Sequence, residues 1–144
     1  MITKAGDLLR LRGADLEVAA RTLDADPDLR EQVDGYQGLA DLDVVDAPDG
    51  VRIFLRGDDV VLIYVGPDAL PAGLDGETLG SAVGADGDLL RSRQGKRANL
   101  HVVAGQGIAW SEDAGQIGFV ELFPPTTLEG YRRDIYLEPA KFIR

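Results

Sequence analysis

The chain has 144 residues, of which 44% are hydrophobic, and this combination suits one globular domain of ordinary size. Aspartate and glutamate number 25 against 15 lysines and arginines, so the formal net charge is −10. Because this charge repels polyanions, we expect neither nucleic acid nor an anionic membrane as a partner. A basic protein would be attracted instead.

The chain contains no cysteine, which excludes thiolate catalysis, zinc–thiolate sites and disulfide bonds. Residues 1–11 include charged side chains and no long apolar run, unlike a signal peptide. No stretch approaches the roughly 20 apolar residues of a membrane span. We therefore expect a soluble protein with a cytoplasmic location. No motif points to a cofactor, so none is predicted.

The first half begins with helical signals and continues with strand signals. Apolar side chains at helical spacing predict a helix over residues 14–23, and proline at a first helical position predicts a second over 27–33. Strands are predicted over 39–45, 51–56 and 60–65, with turn residues between them. The strand segment is therefore predicted to be a meander of three antiparallel strands.

The second half repeats this order of elements. A helix is predicted to begin after Asp75, whose side chain suits an N-cap. Strands are predicted over residues 98–103, 107–112 and 117–123. A last helix is predicted to open at Thr126, which has capping-box spacing with Glu129, and to stop at Pro139.

The recurrence predicts an internal duplication within an α+β fold. Gly50 aligns with Gly107, for example, 57 residues later. We expect one domain, residues 1–144, made of two tandem helix-plus-three-stranded antiparallel meander units, at about 14–70 and 75–136. The two meanders would lie side by side or join into one sheet, with the helices on one face and a closing C-terminal helix.

The segment Leu79, Val83, Gly84, Ala85 and Asp86 looks like the helix end that precedes the sheet in two protein families. A helix and an antiparallel sheet, used twice, resemble the beta-lactamase inhibitor proteins. A single unit resembles the outer-membrane assembly lipoproteins called BamE, although this chain lacks disulfides, a lipoprotein cysteine and a signal peptide. Secretion-chaperone folds are similar as well. The resemblance implies a protein-binding role rather than catalysis.

Four positive charges fall within seven residues, at Arg91, Arg93, Lys96 and Arg97. In so acidic a protein, this cluster would suit an acidic peptide or a phosphate group, although no phosphate-loop motif accompanies it. The alternative is that the cations stabilise the C-terminus of a helix. Both interpretations place the cluster on the surface.

Glu121 interrupts an apolar strand, and alternation places it on the face of Ile117, Phe119 and Phe123. A carboxylate in such surroundings either pairs with an arginine or has a raised pKa. The first outcome would make Glu121 a structural ion pair, and the second would suit a functional acid.

His101 is the only histidine, and alternation turns it away from Leu100 and Val102 towards a half-buried surface of the sheet. The strand of Trp110 would separate it from Glu121 by about 10 Å. No metal site is predicted. The aspartates at positions 24, 26 and 28 lack the glycine and glutamate of a calcium loop and are expected to cap a helix.

The sequence therefore favours a non-catalytic protein-binding module of the adaptor, chaperone-like or immunity type. Its partner would be another protein, possibly a basic one, or a second copy bound through a sheet edge. The alternative is a small-molecule-binding domain or small enzyme that uses a cleft between the two units. Glu121, Arg91 and Arg93 would then be its polar contacts.

Overall fold

The structure, a computed structural model, describes residues 2–33, 42–85 and 87–136. These residues form an α+β fold with four α-helices and one eight-stranded antiparallel sheet. The helices are α1 (Ala5–Arg10), α2 (Leu16–Leu23), α3 (Gly76–Val83) and α4 (Leu128–Asp134). The strands are β1 (Arg30–Val33), β2 (Leu42–Ala47), β3 (Val51–Arg56), β4 (Asp59–Val65), β5 (Asp88–Arg91), β6 (Asn99–Val103), β7 (Ile108–Asp113) and β8 (Gln116–Leu122).

The strands lie in the order β1-β2-β3-β4-β8-β7-β6-β5. Each half is a meander of four strands, and β4 pairs with β8 where the halves meet. The prediction of three strands in each unit is therefore corrected, because β1 and β5 extend the two ends of the sheet. That the halves are two copies of one unit stays a prediction.

The helix predicted over 27–33 is wrong, since β1 occupies its second part. The amide of Leu29 donates to the carbonyl of Asp26 at 3.1 Å, and Asp26 Oδ1 accepts from the amide of Asp28 at 3.0 Å. Pro27 is thus the second residue of a turn, a position that its fixed φ suits as well as a first helical turn. Backbone pairing with β2 then continues the chain as a strand.

Helices α2 and α3 begin and end in the same way. The carboxylates of Asp15 and Asp75 each accept a hydrogen bond, from Val18 N and Thr78 N respectively, at 2.8 Å. The residues after the helices, Asp24 and Gly84, are left-handed and bring the chain back towards the sheet. The predicted N-cap at Asp75 is confirmed, whereas α1 has no counterpart among the predicted helices.

Both faces of the sheet carry large apolar side chains, and each face is covered. Leu8, Leu23 and Leu79 of the first three helices belong to one core with strand residues such as Ile53. The second core contains Phe54, Leu62 and Phe119 on the opposite face, together with Tyr131 of α4. The prediction that all helices lie on one face is therefore wrong, because a sheet that is apolar on both sides needs two covers.

A β-bulge decides which way the side chains of β8 point. Ser111 pairs with Phe119 and Glu112 pairs with Ile117, so Gly118 has no partner in β7. The extra residue places Ile117 in the first core and leaves Phe119 and Glu121 facing the second. Simple alternation, which grouped Ile117 with Glu121, is corrected at this point.

Helix α4 closes the described part of the chain. Its N-cap is Thr127, whose hydroxyl accepts from Gly130 N at 3.0 Å, one residue later than predicted. Arg133 pairs with the neighbouring Asp134 at 3.0 Å. The predicted stop at Pro139 lies outside the described residues. No helix in the described ranges has the length and apolar composition needed to cross a bilayer.

Gly107 provides a test of this architecture, because it joins β6 to β7 with a φ of +68°. A Cβ at this position would lie 2.1 Å from the carbonyl oxygen of Phe123, whereas a Cβ at Gly57, with φ +61°, meets nothing within 4 Å. We expect Gly57→Ala to cost about 1 kcal/mol of unfolding free energy and Gly107→Ala about 3 kcal/mol. Urea denaturation measures both, and equal losses would contradict the close approach at Gly107.

Candidate functional site

The basic loop, residues 91–97, connects the end strand β5 to β6 and carries the four predicted cations on its exposed surface. None of these four side chains makes an ion pair with a carboxylate in the described part of the chain. Other arginines do so, since Arg30 contacts Asp58 at 3.1 Å and Arg52 contacts Asp46 at 2.8 Å. These four cations therefore have no direct ion partner within the described residues, although Asp88 lies in the same end strand and Asp113 lines a hollow together with Arg97.

Buried polar contacts anchor the basic loop. Ser92 Oγ and Ser111 Oγ lie 2.6 Å apart beneath the surface, so one hydroxyl donates to the other. The hydroxyl of Tyr136, which follows α4, donates to the carbonyl oxygen of Arg91 at 2.8 Å. Tyr136 thus folds back on the sheet and belongs to the second core. These bonds fix the backbone of the loop from which the cations project.

Arg93 differs from the other three cations, because it packs on the sheet face that α4 covers. Its guanidinium carbon lies 4.5 Å from the ring centre of Phe119 and 5.8 Å from that of Tyr64. The two rings are 5.4 Å apart and together form a cation–π platform. Arg93 therefore pins the loop, and Arg91, Lys96 and Arg97 are the cations available to a partner.

Glu121 is 1% exposed, and its direct partner is a hydroxyl rather than an arginine. Tyr131 donates to Oε1 at 2.5 Å, and Oε2 has no hydrogen-bond partner among the described groups. Burial raises the pKa of Glu121 to about 7, although the Tyr131 hydrogen bond and the charge of Arg93 act to lower it. Burial also raises the pKa of Tyr131, which keeps its hydroxyl protonated as a donor.

His101 and Trp110 lie on the opposite face, beside α3. Their rings are parallel within 4°, with centres 5.2 Å apart. Glu112 Oε1 accepts from Trp110 Nε1 at 3.3 Å and lies 3.6 Å from His101 Nε2. Trp110 is buried, and His101 is half-buried, as alternation predicts for His101. The sheet itself separates His101 from Glu121, so the two side chains do not form one site.

The predicted polar contacts do not converge on a cleft. Strand alternation places Arg91 on the face of His101, whereas Arg93 and Glu121 lie on the other face. Four surface hollows of about 190–500 Å³ are lined by neither Glu121 nor His101. Within the described ranges, no three histidine, aspartate or glutamate side chains are grouped as a metal ion requires. The arrangement thus offers a charged surface beside a strand edge.

Sequence reasoning missed the apolar component of this surface. Leu89 lies in β5 opposite His101 and is 62% exposed, which is unusual for so large an apolar side chain. The signal was present, because Asp88–Arg91 has two leucines between polar residues and follows a glycine. The four-residue length of the segment, shorter than a typical strand, hid it.

Comparison with protein-family models, curated proteins and solved structures finds no match. The resemblance to beta-lactamase inhibitor proteins and to BamE therefore stays a prediction.

The Glu121–Tyr131 pair predicts a pH-dependent stability. The pKa of about 7 in the folded protein exceeds the value of 4.5 for an ordinary glutamate. Protonated Glu121 therefore contributes stability to the folded state that is fully present below pH 4.5 and is lost as pH rises through 7. Glu121→Gln imitates the protonated form. Relative to the wild type, we expect this variant to gain about 3 kcal/mol in unfolding free energy between pH 4.5 and pH 8.

Urea unfolding across this pH range, followed by Trp110 fluorescence, measures the difference. Glu129→Gln changes an exposed carboxylate on the same side of the molecule and serves as the control. A free-energy difference between Glu121→Gln and the wild type that stays constant with pH would show that Glu121 is not a buried, protonated carboxyl.

Proposed function

We propose that this protein is a non-catalytic protein-binding module, and that its docking surface is formed by β5 and the basic loop. The partner is an extended, acidic segment of a polypeptide. One observation carries the proposal: three exposed cations without ion partners in the described chain stand next to an end strand with an exposed leucine. An extended peptide can add to an exposed sheet edge through main-chain hydrogen bonds, while side-chain contacts determine which peptide binds.

The end strand supplies the backbone part of recognition. β5 pairs with β6 on one side only, and no described strand lies along its other side. An added strand would form main-chain hydrogen bonds there, whatever its sequence. Leu89 would contribute apolar burial of up to about 2 kcal/mol if a partner covered it.

Charge supplies selectivity. Arg91, Lys96 and Arg97 attract carboxylates, and Arg91 and Arg97 can each bind one in a bidentate manner. The rest of the surface is acidic and suits the basic partner that the net charge favours. At the basic loop the local charge is positive, so an acidic segment fits this part of the surface better than a basic one. We place this activity in the cytoplasm, as part of the same proposal.

If the two halves arose by duplication, their differences point to the second half as the functional one. The matching N-caps of α2 and α3 support the duplication, and so do the matching bulges that leave Val61 and Gly118 unpaired. If Phe54 corresponds to Ser111 and Tyr64 to Glu121, the second half has polar side chains where the first half has aromatic ones. Ser111 is one of the groups that anchor the basic loop.

A peptide titration tests the proposal. The probe is a synthetic peptide of about eight residues that alternates glutamate with valine, since strand addition needs alternation. We expect chemical-shift changes in the ¹⁵N spectrum to cluster at residues 88–99. The triple variant Arg91→Glu, Lys96→Glu, Arg97→Glu should lose at least about tenfold in affinity, which is 1.4 kcal/mol.

Two controls make the outcome specific. Arg21→Glu removes an exposed cation of α2, for which no ion pair is seen in the described residues, and should leave binding unchanged. A peptide with lysine in place of glutamate should not bind at the basic loop. Shifts elsewhere on the sheet, or binding that ignores the triple variant, would overturn the assignment of the surface.

A further inference from the structure

We infer that the acidic segment includes the opposite end of the same sheet, so that copies of this chain associate head to tail. This inference rests on the proposed function, since it names a partner for the surface formed by β5 and the basic loop. The head is that surface. The tail is formed by residues 24–31, which run from the end of α2 into β1.

The tail complements the head in charge. Asp24, Asp26, Asp28 and Glu31 are all exposed, and none makes an ion pair within the described ranges. One end of the sheet therefore carries three cations without ion partners, and the opposite end carries four carboxylates without ion partners. An acidic cluster alone would not define a site, but here the same molecule carries its counterpart.

The two ends also match in apolar character. Leu29 is 70% exposed and Leu89 62%, and they are the two most exposed large apolar side chains of the described residues. Each lies in or beside an end strand. A contact between the two ends would remove both leucines from water and provide an apolar centre within a charged rim, which is the usual composition of an interface.

The directions of the two end strands are compatible with the contact. Every neighbouring pair in the eight-stranded order is antiparallel, so direction alternates and β1 runs opposite to β5. A copy displaced along the sheet, and rotated so that it continues the sheet twist, would place its β1 antiparallel to the β5 of its neighbour. Such a contact is heterologous, and it continues beyond two copies.

The size of the contact limits its strength. β1 and β5 have four residues each, so the interface falls below the standard size and associates weakly. The net charge of −10 also opposes association over long distances. At about 0.1 M salt the screening length is about 10 Å, so distant repulsion fades while close pairs persist.

Complementation of variants provides the test. The head variant is Arg91→Glu, Lys96→Glu, Arg97→Glu, and the tail variant is Asp28→Lys, Glu31→Lys; Arg93 and Asp26 are kept because they make structural contacts. Analytical ultracentrifugation at about 0.1 M salt, up to about 1 mM protein, should show growing species for the wild type and monomers for each variant. About 1 M salt should dissociate the wild-type oligomers into monomers, because salt screens the attraction between the two ends.

Mixing the head variant with the tail variant distinguishes a head-to-tail contact from other modes of association. An equimolar mixture of head and tail variants should form dimers and no longer species, because only one intact pair of surfaces remains. Circular dichroism confirms that every variant is folded.

Failure of this inference differs from failure of the proposed function. A wild type that stays monomeric throughout the range, while the acidic peptide still binds at residues 88–99, overturns the head-to-tail contact alone. A mixture that fails to form dimers, or a tail variant that associates by itself, overturns it as well. Loss of peptide binding at the basic loop would overturn both.

Discussion

The pairing of β4 with β8 is the contact on which the rest of the structure depends. It consists of three residue pairs, yet it turns two meanders into one sheet with two ends. Val65 and Val120 face the first core at this seam, whereas Tyr64 and Glu121 face the second. Both cores thus cross the boundary between the halves. Opening it would expose apolar surface on both faces, so the halves are expected to unfold together.

Much of this arrangement is visible in the sequence, and the exceptions have physical causes. Helices α2 and α3 and six of the strands follow from spacing and turn residues. The strands at the two ends do not, because Pro27 suits a turn as well as a helix start and because β5 is short. Glu121 was singled out correctly as a buried acid, but its partner Tyr131 comes from another element, and single-sequence periodicity contains no information on such contacts. The bulge at Gly118 is invisible for the same reason.

The buried polar groups of the second half acquire a common explanation once the basic loop is seen. Ser92, Ser111 and Tyr136 hold its backbone, and Arg93 holds it through Phe119 and Tyr64. Burying such groups costs free energy unless they find partners, so their concentration under one surface loop favours a requirement for rigidity there. Glu121 belongs to this network through the charge of Arg93. Its stability contribution and the position of the loop are therefore coupled.

The distribution of charge is the feature of this surface that the proposed function explains. A protein with a net charge of −10 that needed only solubility would have little reason to gather cations without ion partners in one loop, since its carboxylates are available to pair with them. Arg30 and Arg52 show that such pairs form where geometry permits. Holding Arg91, Lys96 and Arg97 together forgoes that compensation and adds repulsion among the cations. Under the proposed function, carboxylates of a bound acidic segment would reduce this repulsion. We propose that an acidic strand, from another protein or from the far end of a second copy, supplies them together with the backbone groups that would pair with the free edge of β5.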